Sequence, residues 1–374
     1  MKNSLISLFS LISLVVVFSA CNDDIDLNGN FRETPVIYGI IDQADSVHLL
    51  KITRAYIGPG NSLEYALIPD SSYFPYVDAK IYEIIAGGDT ARTWTLIDTT
   101  VFNKEEDGIF YAPEQKLYGF YTNSMDNSDN PTGQPLLQNA TYKLDVLINN
   151  GDLRVTAETQ IVDGVYSSDG TITKRFGYAE NAATTGLYKS TGLTVYPGSA
   201  RLIEAQLIPR YEEFNAGTSQ GFDSFIWGLG EREITVPGTQ TFTMNGEAFY
   251  QLMKASCDAS SNTVDKRNLI SISIKVVGGS DELYNYISVN QPSSSLAQSK
   301  PTYTNLNVTE GHEVIGLFSS RQTYEYEIPF IAANQFVRCI DKNSTFELCQ
   351  GPITGTLGFC SQHVGDLTEN YSCQ

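Results

Sequence analysis

Ala140-Thr141-Tyr142-Lys143-Leu144-Asp145-Val146 alternates apolar and polar residues from Tyr142 onward. A period of two puts Tyr142, Leu144 and Val146 on one face of a β-strand and Lys143 and Asp145 on the other, so the first face is predicted core. The pattern recurs upstream. Pro35-Val36-Ile37-Tyr38-Gly39-Ile40-Ile41 and Val47-His48-Leu49-Leu50-Lys51-Ile52-Thr53 flank the turn-rich Asp42-Gln43-Ala44-Asp45-Ser46, which reads as a hairpin. Residues 79–85, 94–97, 109–112, 142–148 and 153–159 continue the series, with Gly, Asp and Asn between the runs. Seven short strands with this punctuation predict an N-terminal immunoglobulin-like β-sandwich over residues 35–163.

Downstream, residues 164–198 lose apolar periodicity and gain Gly, Ser, Thr and Ala, which places a domain boundary at their start. Residues 200–209, 225–236 and 269–277 read as longer strands of a second sheet. Asn245 is a candidate cap for a helix carrying Phe249, Leu252 and Met253 on one stripe. Ser280-Asp281-Glu282 opens another, with Leu283, Tyr286 and Ile287 inward, ending before Gln291-Pro292. The expected fold is mainly β: the sandwich, then a larger β-rich domain at 164–374 with two short helices.

Composition agrees. A chain of 374 residues suggests two domains at about 100–200 residues each. Charged residues make up only 18%, whereas Gly (30), Tyr (22) and Phe (18) are plentiful, a balance that favours strands and turns. The formal charge of −19 argues against nucleic acid and anionic headgroups as partners. A cationic ligand, a metal ion or a neutral glycan is compatible with it, and acidity for solubility is the simpler reading.

Before the first strand the chain has another character. Lys2 is followed by an apolar run from Leu5 to Phe18, broken only by serines, that ends in Ser19-Ala20-Cys21. That is the layout of a signal peptide over residues 1–20, too short for the ~20 apolar residues of a membrane span. Small residues directly before a cysteine resemble the bacterial lipobox, which implies acylation of Cys21 and a mature chain that starts there. Asp23, Asp24 and Asp26 then form an acidic tether over residues 21–34. It resembles the surface-export signal of Bacteroidota lipoproteins. The expected location is the outer membrane, lipid-anchored and facing the cell surface.

Five cysteines remain. In an oxidising envelope Cys339, Cys349, Cys360 and Cys373 are expected to form two local disulfides, their pairing open and Cys257 left over. Their spacings lack the close pairs of a zinc site. Two long loops, 57–76 and 118–138, carry Tyr73, Phe74, Tyr76, Tyr118, Phe120 and Tyr121. These aromatics either line a binding surface at one end of the sandwich or pin the loops to its core.

No stretch names a reaction. Gly217-Thr218-Ser219-Gln220-Gly221 matches the nucleophile-elbow pattern, with His312 or His363 as formal bases, but a strand rather than a helix is expected after it. His312-Glu313-Val314-Ile315-Gly316 starts like a zinc-protease helix and lacks its second histidine. His48 reads as an edge or surface residue. Asp126, Asp129 and Asn130 are oxygen donors without the register of a calcium loop. Asp45-Ser46-Val47, Asp89-Thr90-Ala91 and Asp98-Thr99-Thr100 resemble short O-glycosylation signals. No cofactor, metal or nucleotide is expected.

Leu283-Tyr284-Asn285-Tyr286-Ile287, Pro301-Thr302-Tyr303-Thr304-Asn305-Leu306 and Gly316-Leu317-Phe318-Ser319-Ser320 resemble, in order and spacing, the C-terminal half of a family of Bacteroidota outer-membrane lipoproteins of unknown function. The opening from Cys21 to Ile25, the run Pro35–Ile41 and the strand to Arg54 are similar to it too. The resemblance implies a surface lipoprotein of the kind encoded beside TonB-dependent receptors, and hands over no catalytic residue. The expected function is therefore a non-enzymatic binding accessory of such a nutrient transporter. A structural or adhesive surface protein is the alternative, and a hydrolase using Ser219 a distant third.

Overall fold

The computed structural model describes residues 32–57, 62–105, 108, 111–122, 134–181, 183–258, 263–290, 302–330 and 337–373. The signal peptide, Cys21, Asp23, Asp24, Asp26 and the oxygen donors Asp126, Asp129 and Asn130 lie outside the described residues. The chain is mainly β and is organised as packed sheets with few helices.

Strands β1 (Arg32–Asp42) and β2 (Val47–Ile57) form the expected hairpin. Two short helices follow, α1 (Ser62–Ala66) and α2 (Pro69–Ser72), then β3 (Val77–Ile84), β4 (Thr90–Thr95), β5 (Ile97–Val101), β6 (Gln115–Tyr121), β7 (Thr141–Ile148) and β8 (Leu153–Gln160). The second half holds β9 (Val165–Ser167), β10 (Ser190–Pro197), β11 (Leu202–Asn215), β12 (Thr218–Ser224), β13 (Trp227–Glu233), β14 (Gln240–Asn245), α3 (Gly246–Asp258), β15 (Lys266–Gly279) and α4 (Asp281–Asn290). It closes with β16 (Asn307–Val308), β17 (Ile315–Pro329) and α5 (Lys342–Gln350).

A five-stranded sheet, β16-β8-β7-β3-β4, faces the β17-β1-β2-β6-β5 part of a nine-stranded sheet. Alternation builds the core between them. Ile37, Ile41, Leu50 and Ile52 from one layer meet Ile81, Trp94, Tyr142, Leu144 and Val146 from the other, all fully buried. Each such side chain contributes roughly 1.5–3 kcal/mol by leaving water. The predicted face of β7 is thus core.

In the second half β11, β13 and β15 extend the same nine-stranded sheet, and the small sheet β14-β10-β9 shares a second core with it. Helix α3 packs there through Phe249 and Met253, capped as expected by Asn245, whose side-chain oxygen accepts from Ala248 N–H (3.0 Å). Ser280 caps α4, but Leu283, Tyr286 and Ile287 are only half-buried.

Several expectations need correcting. Residues 94–97 are not one strand: β4 ends at Thr95 in one sheet, and β5 starts at Ile97 in the other, so the chain changes layer at Leu96. Tyr111 and Ala112 are not strand, and the strand is β6, whose residues 118–121 read as the start of a loop. Helices α1, α2 and α5 were not foreseen. Around the expected boundary at 163/164 the core changes, with Ile161 in the first and Val162 and Val165 in the second. The sheet does not change. β1 pairs in parallel with β17, Ile37 opposite Gly316, so a division into 35–163 and 164–374 cuts a continuous sheet. The first core also takes Leu306 and Phe318 from beyond that boundary.

Candidate functional site

On the outer face of the β1–β2 hairpin, strand alternation that sends Ile37 and Ile52 inward sends Val36, Tyr38, Lys51 and Thr53 outward. The register sets Tyr38 opposite Lys51 and Val36 opposite Thr53. Over this floor folds the insertion carrying α1 and α2, and Lys104 reaches in from the segment after β5. The space enclosed is about 410 Å3, the size of a small-ligand site. Leu63, Tyr65, Ala66 and Tyr73 supply its insertion-side wall.

Several contacts hold the insertion. Arg54 donates from Nε to the Ser71 carbonyl (3.0 Å), from Nη2 to the Asp70 carbonyl (2.6 Å), and from Nη1 to the Glu33 carboxylate. Tyr73 Oη accepts from Lys116 N–H (3.1 Å), and Phe74 is buried in the first core. Tyr111 N–H donates to the Ala66 carbonyl (3.0 Å).

Among the described residues, the charged side chains that line it are Lys51, Arg54 and Lys104. Arg54 is neutralised by Glu33. Lys104 Nζ donates to the Tyr111 carbonyl (2.5 Å), and its pKa is pushed down by burial and further by the Lys51 ammonium. Tyr38 shares a hydrogen bond with Tyr286 of α4 (3.1 Å between oxygens), and burial and that bond push its pKa up to about 12, so it stays a neutral phenol.

The six loop aromatics, read either as a binding surface or as pins onto the core, are divided between the two. Phe74, Tyr118 and Phe120 are 2%, 3% and 1% exposed and belong to the core, Phe120 stacked on His48 with Trp94 behind it. Tyr76 and Tyr121 are exposed, and Tyr73 lines the cavity. His48, expected at an edge or surface, is buried. Sequence reasoning missed Tyr38, Lys51, Arg54 and Lys104. Their strand positions were legible, but nothing local brings Lys104 or the insertion over them.

Elsewhere the candidates do not assemble. Ser219 lies in exposed β12, its hydroxyl donating to Glu212 (2.6 Å) and accepting from Gly221 N–H (3.3 Å). His312 is exposed in a turn, and His363 is buried with Nδ1 2.9 Å from Arg338 in a network that includes Asp366 and Ser361. No group of three metal-ligating side chains occurs among the described residues. Of the two expected tail disulfides only Cys360–Cys373 forms. Cys339 and Cys349 are instead buried thiols of the second core, as is Cys257. No described helix is long and apolar enough to cross a membrane.

No protein-family model matches the chain, and no curated protein matches it. Among solved structures, the C-terminal globular domain of an oligosaccharyltransferase from Pyrococcus abyssi is 10% identical, with 66% of this chain and 46% of that one covered and a TM-score of 0.23. CBD12 from CALX1.2 is 11% identical over 77% of this chain and 99% of that one, with a TM-score of 0.14. Likeness this low carries no argument about fold or activity.

Proposed function

We propose that the protein is a non-enzymatic binding ectodomain, held on the outer membrane by acylated Cys21, that serves a TonB-dependent nutrient transporter as an accessory. The observation that carries the binding role is the cavity of about 410 Å3 between the β1–β2 hairpin and the α1–α2 insertion. It is lined by apolar, aromatic and polar side chains of the kind that recognise ligands. Location and partner rest on the lipobox-like ending, the acidic tether and the family resemblance.

The test is to extract outer membranes in mild detergent, capture the protein by a C-terminal tag and identify what co-purifies by mass spectrometry. A stoichiometric TonB-dependent receptor that is absent with Cys21→Ala supports the reading. Recovery of the anchored protein alone overturns the transporter role.

An adhesive role is favoured by one feature. Leu63, Leu67 and Ile68 of the insertion are 56%, 58% and 47% exposed, an apolar cluster at the surface. Removing the insertion while nutrient uptake stays intact and attachment is lost would decide for adhesion. A hydrolase using Ser219 has the least support, since that hydroxyl is bonded to a carboxylate in an exposed strand.

A further inference from the structure

We infer that the outer face of the small sheet β14-β10-β9 binds neutral polysaccharide, with the paired rings of Tyr166 and Tyr196 as its platform. This face shares no residue with the cavity over β1 and β2, and the inference stands whether or not a receptor co-purifies.

Alternation in the three strands sends one face to the second core and leaves the other to solvent. Val165, Leu193, Val195, Phe242 and Met244 are buried inward, so Tyr166, Tyr196, Thr194, Gly192, Thr241 and Thr243 point outward. Tyr166 and Tyr196 are directly opposite in the register, and their rings stack at 4.4 Å between centroids with 5° between planes. Tyr166 is 43% exposed, and neither hydroxyl has a hydrogen-bond partner among the described residues. β9 is the edge strand of this sheet, so the Tyr166 ring face turned away from Tyr196 borders no further strand of it. A pair that is already stacked is already ordered, and a ligand laid against it costs little further side-chain entropy.

The residues beside the rings decide what lies on them. Thr194 stands opposite Thr241 and Gly192 opposite Thr243. A Cβ on Gly192 would meet the Thr241 methyl at 2.9 Å, so the surface next to the tyrosines is low and carries hydroxyls. No side chain of the three strands is charged, in a chain of net −19. Asp169, just past β9, is taken by Lys174 Nζ (2.6 Å) and Thr194 N–H (2.7 Å). The outer face of the nine-stranded sheet differs, with Glu204, Lys275, Glu325 and Glu327 outward.

A pyranose ring presents C–H groups on its flat side and hydroxyls around its rim. The first pack on an aromatic face, and the second need groups that both donate and accept, as Thr and Tyr hydroxyls do and an ammonium or carboxylate does not. An uncharged face gives no counter-charge to an acidic sugar leaving water, so the occupant is neutral. Nor does the face suit a protein partner, whose buried centre asks for apolar bulk where this one has threonine and glycine. A flat sheet face serves a chain laid across the strands rather than a single enclosed sugar.

The test is affinity electrophoresis of the full-length protein in a sugar-free polyoxyethylene detergent. Native gels are cast with neutral starch, laminarin, arabinoxylan, galactomannan or yeast mannan, or with acidic polygalacturonate or chondroitin sulfate. Retardation by at least one neutral polysaccharide and by neither acidic one is expected. Tyr166→Ala with Tyr196→Ala should weaken it at least about tenfold. Tyr166→Phe with Tyr196→Phe keeps both rings and should lose less than the alanine pair. Phe222→Ala, which removes an exposed ring of β12, should change nothing. Melting curves show whether the alanine pair is folded; if it is not, Tyr166→Ala alone takes its place, with weakening of at least about threefold expected.

No retardation by any of the neutral polysaccharides, retardation by an acidic one as strong as by the neutral ones, or alanine variants that bind like their parent would each overturn the inference. So would a loss in Phe222→Ala as large as in the alanine pair. A receptor found by co-purification would still stand in those cases.

Discussion

Thr122 Oγ1 lies 3.1 Å from His48 Nε2 and donates its own proton to the Asp45 carbonyl, also at 3.1 Å. A hydroxyl has one proton, so toward His48 it accepts, and the imidazole carries its hydrogen on Nε2. Nδ1 is then a bare lone pair, buried and without a hydrogen-bond partner, which suits only the neutral ring.

That geometry has a pH consequence. Burial holds the His48 pKa down to about 4, against 6.5 in the unfolded chain, with a backbone bond from Asp45 working weakly the other way. Between those values the unfolded state binds the extra proton. Stability contributed by the neutral ring is therefore complete above pH 6.5 and lost as pH falls toward 4, by roughly 3 kcal/mol. Urea unfolding at pH 7 and pH 4, followed by Trp94 fluorescence in a Trp227→Phe background, should show His48→Phe losing less stability on acidification than its parent. Superimposable pH profiles would refute it.

Glu83 is fully buried and accepts from Arg92 Nε (2.7 Å) and Nη2 (2.5 Å), Tyr142 Oη (2.5 Å) and Leu137 N–H (3.1 Å). Burial and then Glu83 push the Tyr142 phenol well above its usual range, so it remains the donor. Glu83→Ala takes the counter-charge from Arg92, which keeps the Gln134 and Pro135 carbonyls, and should cost about 3–5 kcal/mol in chemical denaturation. Glu83→Leu with Arg92→Met removes both charges and should cost clearly less. Equal losses would mean the ion pair is not what the site depends on.

Gly316 has φ +125°, and a Cβ there would sit 1.8 Å from the Ile37 carbonyl oxygen, its partner strand across the parallel β1–β17 pairing. Gly316→Ala should cost more than about 3 kcal/mol or prevent folding, since backbone cannot step aside as a side chain can. Gly311→Ala, at φ +83° in open space, should cost only about 1–2 kcal/mol. Melting temperatures of the two variants give the comparison, and similar values would contradict it.

The Cys360–Cys373 bridge spans 13 residues. Cys360→Ser with Cys373→Ser should lose about 3 kcal/mol of stability, the closure entropy of a loop near that length. The buried thiols behave differently: burial pushes Cys257 up to about 11 and Cys349 up to about 12, and Cys339 higher still. Iodoacetamide at pH 8 should leave all three unmodified in the native protein and alkylate them after denaturation, as read by mass spectrometry. Modification of the native form would show that the second core opens.

Local pattern was enough for much of this architecture. The alternation of Tyr142, Leu144 and Val146 specified a strand and its buried face, because a period-two chain has one way to hide three apolar side chains. Asn245 and Ser280 announced α3 and α4 through capping chemistry that acts within a few residues. The same logic holds for α5, where Asp341 accepts from Ser344 N–H at 2.8 Å, a cap signal that lies among the tail cysteines. The tail's cysteine count suggested two bridges, but Cys339 and Cys349 went into an apolar core that keeps them reduced and apart from solvent.

Partnership was decided by the tertiary structure. Asp42 at the end of β1 accepts from Thr323 of β17 at 2.8 Å across 281 residues of sequence, and the parallel pairing beside it joins both halves in one sheet. Alternation tells a strand which face to bury but not which neighbour to take, since every strand offers the same backbone groups. The cavity follows from that choice. Tyr38 and Lys51 are ordinary outward residues until the insertion and Lys104 close over them, and the cavity emerges only from their assembly.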